Sequence, residues 1–186
     1  MDLNMEKILL FNGKLLEITI NRLCQQLIEN HADFVESVLI GMQPRGRFFA
    51  DRIKIKLDAL SGRDIPIGYL DTTFYRDDFR RREQLLVMPS ENKIPFLVEK
   101  KEVILIDDVL FTGRTVRAAL SALNEFGRAK QIELLVLVDR KYSRDLPIQP
   151  DYVGRTVNTI QSQRVHVEWK EQGATEDNIW LINENE

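Results

Sequence analysis

The run Val103-Ile104-Leu105-Ile106, followed at once by Asp107-Asp108, constrains this chain more than any other stretch. Four consecutive apolar residues suit a strand covered on both faces, as in a parallel sheet between two helix layers. Two adjacent acids ending such a strand are not something stability asks for, because burying a carboxylate is expensive. Beyond them Thr112, Gly113 and Thr115 bracket a tight loop, and Val116, Ala119, Leu120, Leu123 and Phe126 supply a helical stripe that stops at Gly127. The order predicted is therefore strand, carboxylate pair, loop, helix start.

That order has a chemical reading. Unsatisfied N–H groups and the positive dipole end at a helix start can hold a phosphate, and Gly113 lets the backbone approach it closely. Thr112 and Thr115 add hydroxyl donors, and Arg114 adds a charge. Asp107 and Asp108 would lie one sugar's length away, where carboxylates accept hydrogen bonds from vicinal ribose hydroxyls. A phosphorylated ribose fits both features. The alternative is purely local: Asp108 caps a turn and Thr112 caps the helix.

Strand and helix alternate through most of the chain. Leu16, Ile20, Leu23, Leu27 and Ile28 mark one face of a helix from about 14 to 30, with Cys24 on the same stripe as a small buried side chain. Residues 37–42 form a short apolar run ending at Gln43-Pro44-Arg45-Gly46, after which Phe49, Ile53, Leu57 and Leu60 mark a second helix. A third apolar run, 65–70, passes into a polar stretch over 76–93, long and irregular enough to be functional or mobile. Residues 132–138 repeat the buried-strand pattern. This alternation predicts an α/β fold, an open and mainly parallel sheet with helices on both faces, with ligands outside the strands' carboxyl ends. Past Pro150, the alternation of Val165, Val167 and Trp169 and the run 179–182 predict a small antiparallel appendage.

Composition narrows the function. With 186 residues one domain with a real core is expected, and 26 basic against 29 acidic residues, net charge −3, do not describe a chain coated for nucleic acid. The single cysteine excludes an internal disulfide or a cysteine-rich metal site, and no apolar run approaches membrane-spanning length; the cytoplasm is the expected compartment. His31 and His166 read as surface or packing residues. A dinucleotide-binding Rossmann reading would need a glycine-rich turn after the first strand, and Gly41 to Gly46 lacks that spacing.

The stretch from Val103 to Thr115 resembles the phosphoribosyl pyrophosphate (PRPP) signature of type I phosphoribosyltransferases. Residues 70–79, 109–118, 137–140, 146–148 and 151–154 further resemble the PyrR family, pyrimidine operon attenuation regulators that also act as uracil phosphoribosyltransferases. The resemblance implies a type I phosphoribosyltransferase fold in a single domain over 1–186, with a flexible loop at about 76–95 and a C-terminal hood at about 150–186. It implies transfer of the 5-phosphoribosyl group from PRPP to uracil, giving UMP and pyrophosphate, with Mg2+ held through PRPP and water near Asp107 and Asp108 rather than by dedicated ligands. Pro44 and Arg45 would form the pyrophosphate loop, and Asp107 and Asp108 would hold the ribose hydroxyls. Val109, Leu110, Phe111, Thr112, Gly113, Arg114 and Thr115 would complete the 5-phosphate cradle. Arg140 and Val165 would border the base, and Arg76 would swing over the pyrophosphate as the loop closes. Pro44 replaces the threonine usual in the family, and Asn158 and Ile160 stand where the family has proline and serine.

The resemblance also implies a homodimer or higher oligomer and a pyrimidine-operon leader RNA as a partner. Arg22 and Arg155 match the family's RNA-contacting positions, whereas Gln25, Asn30 and Gln149 replace histidine or arginine. Retained transferase chemistry with weakened or absent RNA attenuation is the reading this pattern favours, since each lost phosphate contact lowers affinity. A catalytically silent nucleotide sensor, or a transferase for another base, are the alternatives.

Overall fold

The computed structural model describes residues 7–75, 91–142, 144–160 and 162–183. Five strands, β2 (Ser37–Gln43), β3 (Ile67–Asp71), β4 (Glu102–Leu110), β5 (Gln131–Lys141) and β6 (Tyr152–Asn158), form a sheet in the order β3-β2-β4-β5-β6. Every neighbouring pair in it is parallel. β1 (Lys7–Phe11), β7 (Gln163–Glu168) and β8 (Asn178–Asn183) form a separate antiparallel sheet, order β1-β8-β7.

Period-two alternation in the apolar strands explains why they read as continuous hydrophobic runs. Leu39, Ile104, Ile106, Leu135 and Leu137 point into one cluster with α1 (Gly13–His31) and α2 (Gly46–Ser61). Val38, Ile40, Val103, Leu105, Leu134 and Val136 point into the other, shared with Val116, Ala119, Ala122 and Leu123 of α3 (Arg114–Leu123). The predicted helix faces are buried at Leu16, Ile20, Leu23, Leu27, Phe49, Ile53 and Leu57, each contributing roughly 1.5–3 kcal/mol by leaving water. Leu60 departs from that expectation: it is 40% exposed, in the last turn of α2, which ends at Ser61 with Gly62 beyond it in the left-handed region. Cys24 is buried against α2, and burial pushes its thiol up to about 12.

α1 starts where the Asn12 side chain accepts from the Leu15 N–H at 2.9 Å. It ends at His31, whose ring is buried: Nε2 lies 2.7 Å from Glu133 Oε2 and Nδ1 lies 2.9 Å from Ser37 Oγ. His166 on β7 is partly exposed beside Glu168.

Two boundaries differ from the sequence expectation. Residues 152–158 belong to the main sheet, and the antiparallel sheet takes its third strand from residues 7–11 at the other end of the chain. Second, Asp107 and Asp108 do not end their strand. β4 continues to Leu110 because β5 still pairs with it there, Leu110 against Asp139, while β2 has left it after Gly41 against Ile106. The connections from β2 and β4 run to opposite sides, so the sheet's topological switch point lies between these two strands. The two acids stand at that opening.

Candidate active site

Three segments meet at the switch point. β2 turns through a cis Gln43-Pro44 bond and Arg45 into the first residue of α2, Gly46. A side chain at Gly46 has no room: a Cβ there would lie 2.9 Å from both Asp107 Oδ1 and the Ile106 carbonyl oxygen. Glycine thus lets the start of α2, and Arg45 before it, press against the acid pair.

The acids are electrostatically loaded. Burial and the neighbouring Asp108 charge hold the Asp107 carboxyl well above the ordinary carboxylate range, and Arg45 works against that rise. Burial likewise raises Asp108, opposed first by Arg45, whereas for Asp107 the Asp108 N–H opposes the rise ahead of Arg45. Asp107 Oδ1 accepts from the Asp108 N–H at 2.9 Å, whereas Asp108 Oδ2 is buried and finds no hydrogen-bond partner among the described residues. A buried acceptor left unpaired costs about 1–3 kcal/mol, so this oxygen is able to take a donor that the described residues do not supply.

Val109 and Leu110 finish β4, and Phe111, Thr112 and Gly113 form the loop proper. Gly113 takes φ 89° and, as the N-cap residue, brings no side chain to the start of α3, where the Arg114 N–H donates to Thr112 Oγ1 at 3.4 Å. The N–H groups at this helix start, with the Thr115 hydroxyl one residue on, form a ready anion seat. The loop is backed by the connection after β5. Asp145 and Leu146 donate to the Thr112 carbonyl at 3.0 and 3.3 Å, Ile148 packs under Gly113, and Arg114 Nε meets Asp145 Oδ2 at 2.9 Å.

On the other side Arg140, only 4% exposed, lays its guanidinium 3.8 Å from the centre of the Phe111 ring. It also donates to Thr159 Oγ1 at 3.0 Å and to the Gln163 carbonyl at 2.6 Å, fixing the backbone that leads into β7, where Val165 is buried. Pro44, Arg45, the acid pair, the 109–115 segment, Arg140 and Val165 thus lie on elements that converge here. Arg76 lies outside the described residues. The segment containing it leaves from a short 3-10 turn, Thr73–Tyr75, and returns beside β3: Lys93 bridges Tyr69, and Gln43 Nε2 donates to the Glu91 carbonyl at 3.1 Å.

The comparisons with known proteins agree with this geometry. The family described as Phosphoribosyl transferase domain matches residues 10–172. A protein of Elusimicrobium minutum named Bifunctional protein PyrR is 42% identical over 97% of this chain and 99% of its own length. The chain belongs to the PyrR family. Another PyrR protein, from Mannheimia succiniciproducens, is 47% identical over 88% of this chain and 91% of its own. The hypoxanthine phosphoribosyltransferase of Trypanosoma cruzi, solved with IMP, shares the fold at a TM-score of 0.70 with 14% identity, over 96% of this chain and 91% of that one.

Arg22 and Arg155, the two residues the sequence resemblance leads us to expect at an RNA-facing surface, are engaged within the chain. Arg22 donates to the carbonyls of Val153 and Gly154 at 3.0 and 2.7 Å, and Arg155 donates to the Leu10 carbonyl at 2.7 Å. Among the described residues no three His, Cys, Asp or Glu converge as a metal-binding group, and no helix is long and apolar enough to cross a membrane.

Two residues at the site carry no distinctive signal in the sequence. Gly46 reads there as a turn residue; only the fold shows what it must avoid. Arg144, in the polar connection after β5, donates from Nη1 to the carbonyls of Leu110 at 3.3 Å, Arg140 at 3.0 Å and Phe111. Its Nε donates to the Ile148 carbonyl at 3.1 Å, and its Nη2 pairs with Asp139.

Proposed function

We propose that this chain transfers the 5-phosphoribosyl group of PRPP to uracil, forming UMP and releasing pyrophosphate. The observation that carries the proposal is the buried Asp108 Oδ2, without a partner among the described residues, beside Asp107 and one short loop away from the start of α3. Acceptor-only carboxylates next to an anion seat suit a ribose that presents two hydroxyls and a 5-phosphate.

In this reading the N–H groups and hydroxyls of residues 112–115 bind the 5-phosphate, Asp107 and Asp108 bind the 2- and 3-hydroxyls, and Arg45 faces the pyrophosphate. The base enters between the Phe111 and Arg140 wall and the backbone of residues 157–165. N1 of the base bonds to C1 of the ribose as the bond from C1 to pyrophosphate oxygen breaks, and the N1 proton is released. C1 gains oxocarbenium character on the way, so positioning and stabilisation of the leaving charge do the work and no covalent nucleophile is needed. The donor set fits magnesium: two carboxylates, with no group of three potential ligands among the described residues, suit an ion that keeps substrate oxygens and water. Magnesium bound with PRPP would neutralise charge on the departing pyrophosphate, with Asp107 and Asp108 the residues nearest to hold its water shell. Arg76 completes the pyrophosphate side when its loop closes.

Pyrophosphate release from PRPP and magnesium, measured with uracil, orotate, hypoxanthine and guanine, tests the proposal. Uracil is expected to be preferred. A purine preference overturns the substrate, and no release with any base leaves the silent nucleotide sensor. Weak or absent RNA attenuation is a second reading, supported by the internal contacts of Arg22 and Arg155. Titration with pyrimidine-operon leader RNA, with and without UMP, checks it; tight binding enhanced by UMP would refute it.

A further inference from the structure

Arg144 stands outside every substrate-contacting segment named above, yet its guanidinium meets acceptors from four directions. The carbonyls of Leu110 and Phe111 come from the end of β4 and the start of the phosphate loop, and that of Arg140 from the base-side wall. The Ile148 carbonyl comes from the connection lying under Gly113, and Asp139 supplies the neutralising carboxylate from β5. The Arg144 side chain is 21% exposed and Asp139 10%, so most of this arrangement is shielded from water.

We infer that Arg144 is a positioning residue of the transfer site, whose single planar guanidinium sets the phosphate loop and the base-side wall at a fixed separation. The inference rests on the phosphoribosyl-transfer reading. Its physical basis is geometric. Holding the Leu110 and Phe111 carbonyls fixes the peptide planes that lead into residues 112–115, and so the aim of the N–H groups at the start of α3. Holding the Arg140 carbonyl fixes the residue whose guanidinium lies over Phe111 and donates into the hood backbone. A neutralising partner for Asp139 needs only one of these contacts; the carbonyls need a rigid fork with several donors. Lysine would keep the charge but is a point donor on a flexible stem, and cannot span acceptors on both sides of a plane.

The test compares Arg144→Gln, Arg144→Lys and Asp139→Asn with the parent. PRPP affinity is read by calorimetry, KM and kcat with uracil, and thermal melting. Both Arg144 variants are expected to weaken PRPP binding and raise its KM by about tenfold or more, and to raise the KM for uracil as well, because misplacement by about 1 Å can cost roughly 100-fold. Asp139→Asn keeps the fork on its four carbonyls and an acceptor at Asp139, and is expected to stay within about threefold of the parent. Should Arg144→Gln not fold, Arg144→Lys carries the comparison, since its ammonium keeps the pair with Asp139. An Arg144→Lys protein with parental PRPP affinity and KM overturns the inference. So does an Asp139→Asn protein as impaired as Arg144→Lys, which would assign the effect to the ion pair. A parent that does not bind PRPP overturns the phosphoribosyl reading itself, a result distinct from either.

Discussion

Replacing Asp108 by Asn is expected to stabilise the ligand-free protein while abolishing PRPP binding. Asp108 is 6% exposed, its Oδ2 has no partner among the described residues, and burial holds its carboxyl above the ordinary range despite Arg45. An amide in its place carries no charge to desolvate, and its NH2 can donate to Asp107. Relief of one unpaired buried acceptor is worth about 1–3 kcal/mol. Melting shifts by about 2–4 °C per kcal/mol in domains of this size, so the variant should melt roughly 2–12 °C above the parent near neutral pH. The sign with pH follows from linkage. A carboxyl whose folded pKa is raised binds its proton more tightly folded than unfolded. Its contribution to stability is therefore fully present below about pH 3.9, the unfolded value, and is lost as pH rises through the raised folded value. The advantage of the variant should be near zero at about pH 4, widen as pH rises, and then level off. Thermal unfolding followed by circular dichroism across that range reads it directly. Repeating the melts with PRPP and magnesium should stabilise the parent, by about 2.7 kcal/mol at 100 times its Kd, and leave the variant unmoved. An Asn variant that melts at or below the parent near neutral pH, or a gap that ignores pH, would refute the reasoning.

Gly46→Ala should lower the melting temperature by a few degrees and raise the KM for PRPP, since a Cβ 2.9 Å from two oxygens forces overpacking worth about 1–3 kcal/mol. A rise in melting temperature, as a simple gain in helix propensity would give, counts against the close approach of α2 to the acids. Arg52 joins α2 to the hood, pairing with Glu171 and Asp177 at 2.8 Å each and lying 4.7 Å from the Trp169 ring centre. Arg52→Ala should cost about 1–2 kcal/mol in denaturant melts, with the loss shrinking at high salt; a salt-independent loss would assign the effect to the stacking alone.

The central sheet was legible because its strands are buried on both faces and its helices on one, so composition and period carry the information. Val103 to Ile106 and the stripes through Leu23 and Ile53 needed no tertiary knowledge. Asp107, Asp108 and Gly113 were legible for the opposite reason: they violate what a core strand and a helix start ask of a sequence. What stayed hidden depends on partners far away in the chain. β1 is five residues whose strand character comes from pairing with residues 179–182, and β4 runs past the acids only because β5 continues beside it. Arg144 reads as one more polar residue in a loop until the carbonyls of Leu110, Arg140 and Ile148 are brought to it.

The pairing of Lys7 with Ile182 through the central strand β8 has a consequence for synthesis. A chain emerging from the ribosome can assemble all five parallel strands once residue 158 is out, but the three-stranded sheet needs its middle member, which is translated after both of its neighbours. The antiparallel sheet is therefore the last part of the fold to form, and a nascent chain halted before residue 178 would present the Asp107–Asp108 pair and the start of α3 while β1 and β7 still lack the strand between them.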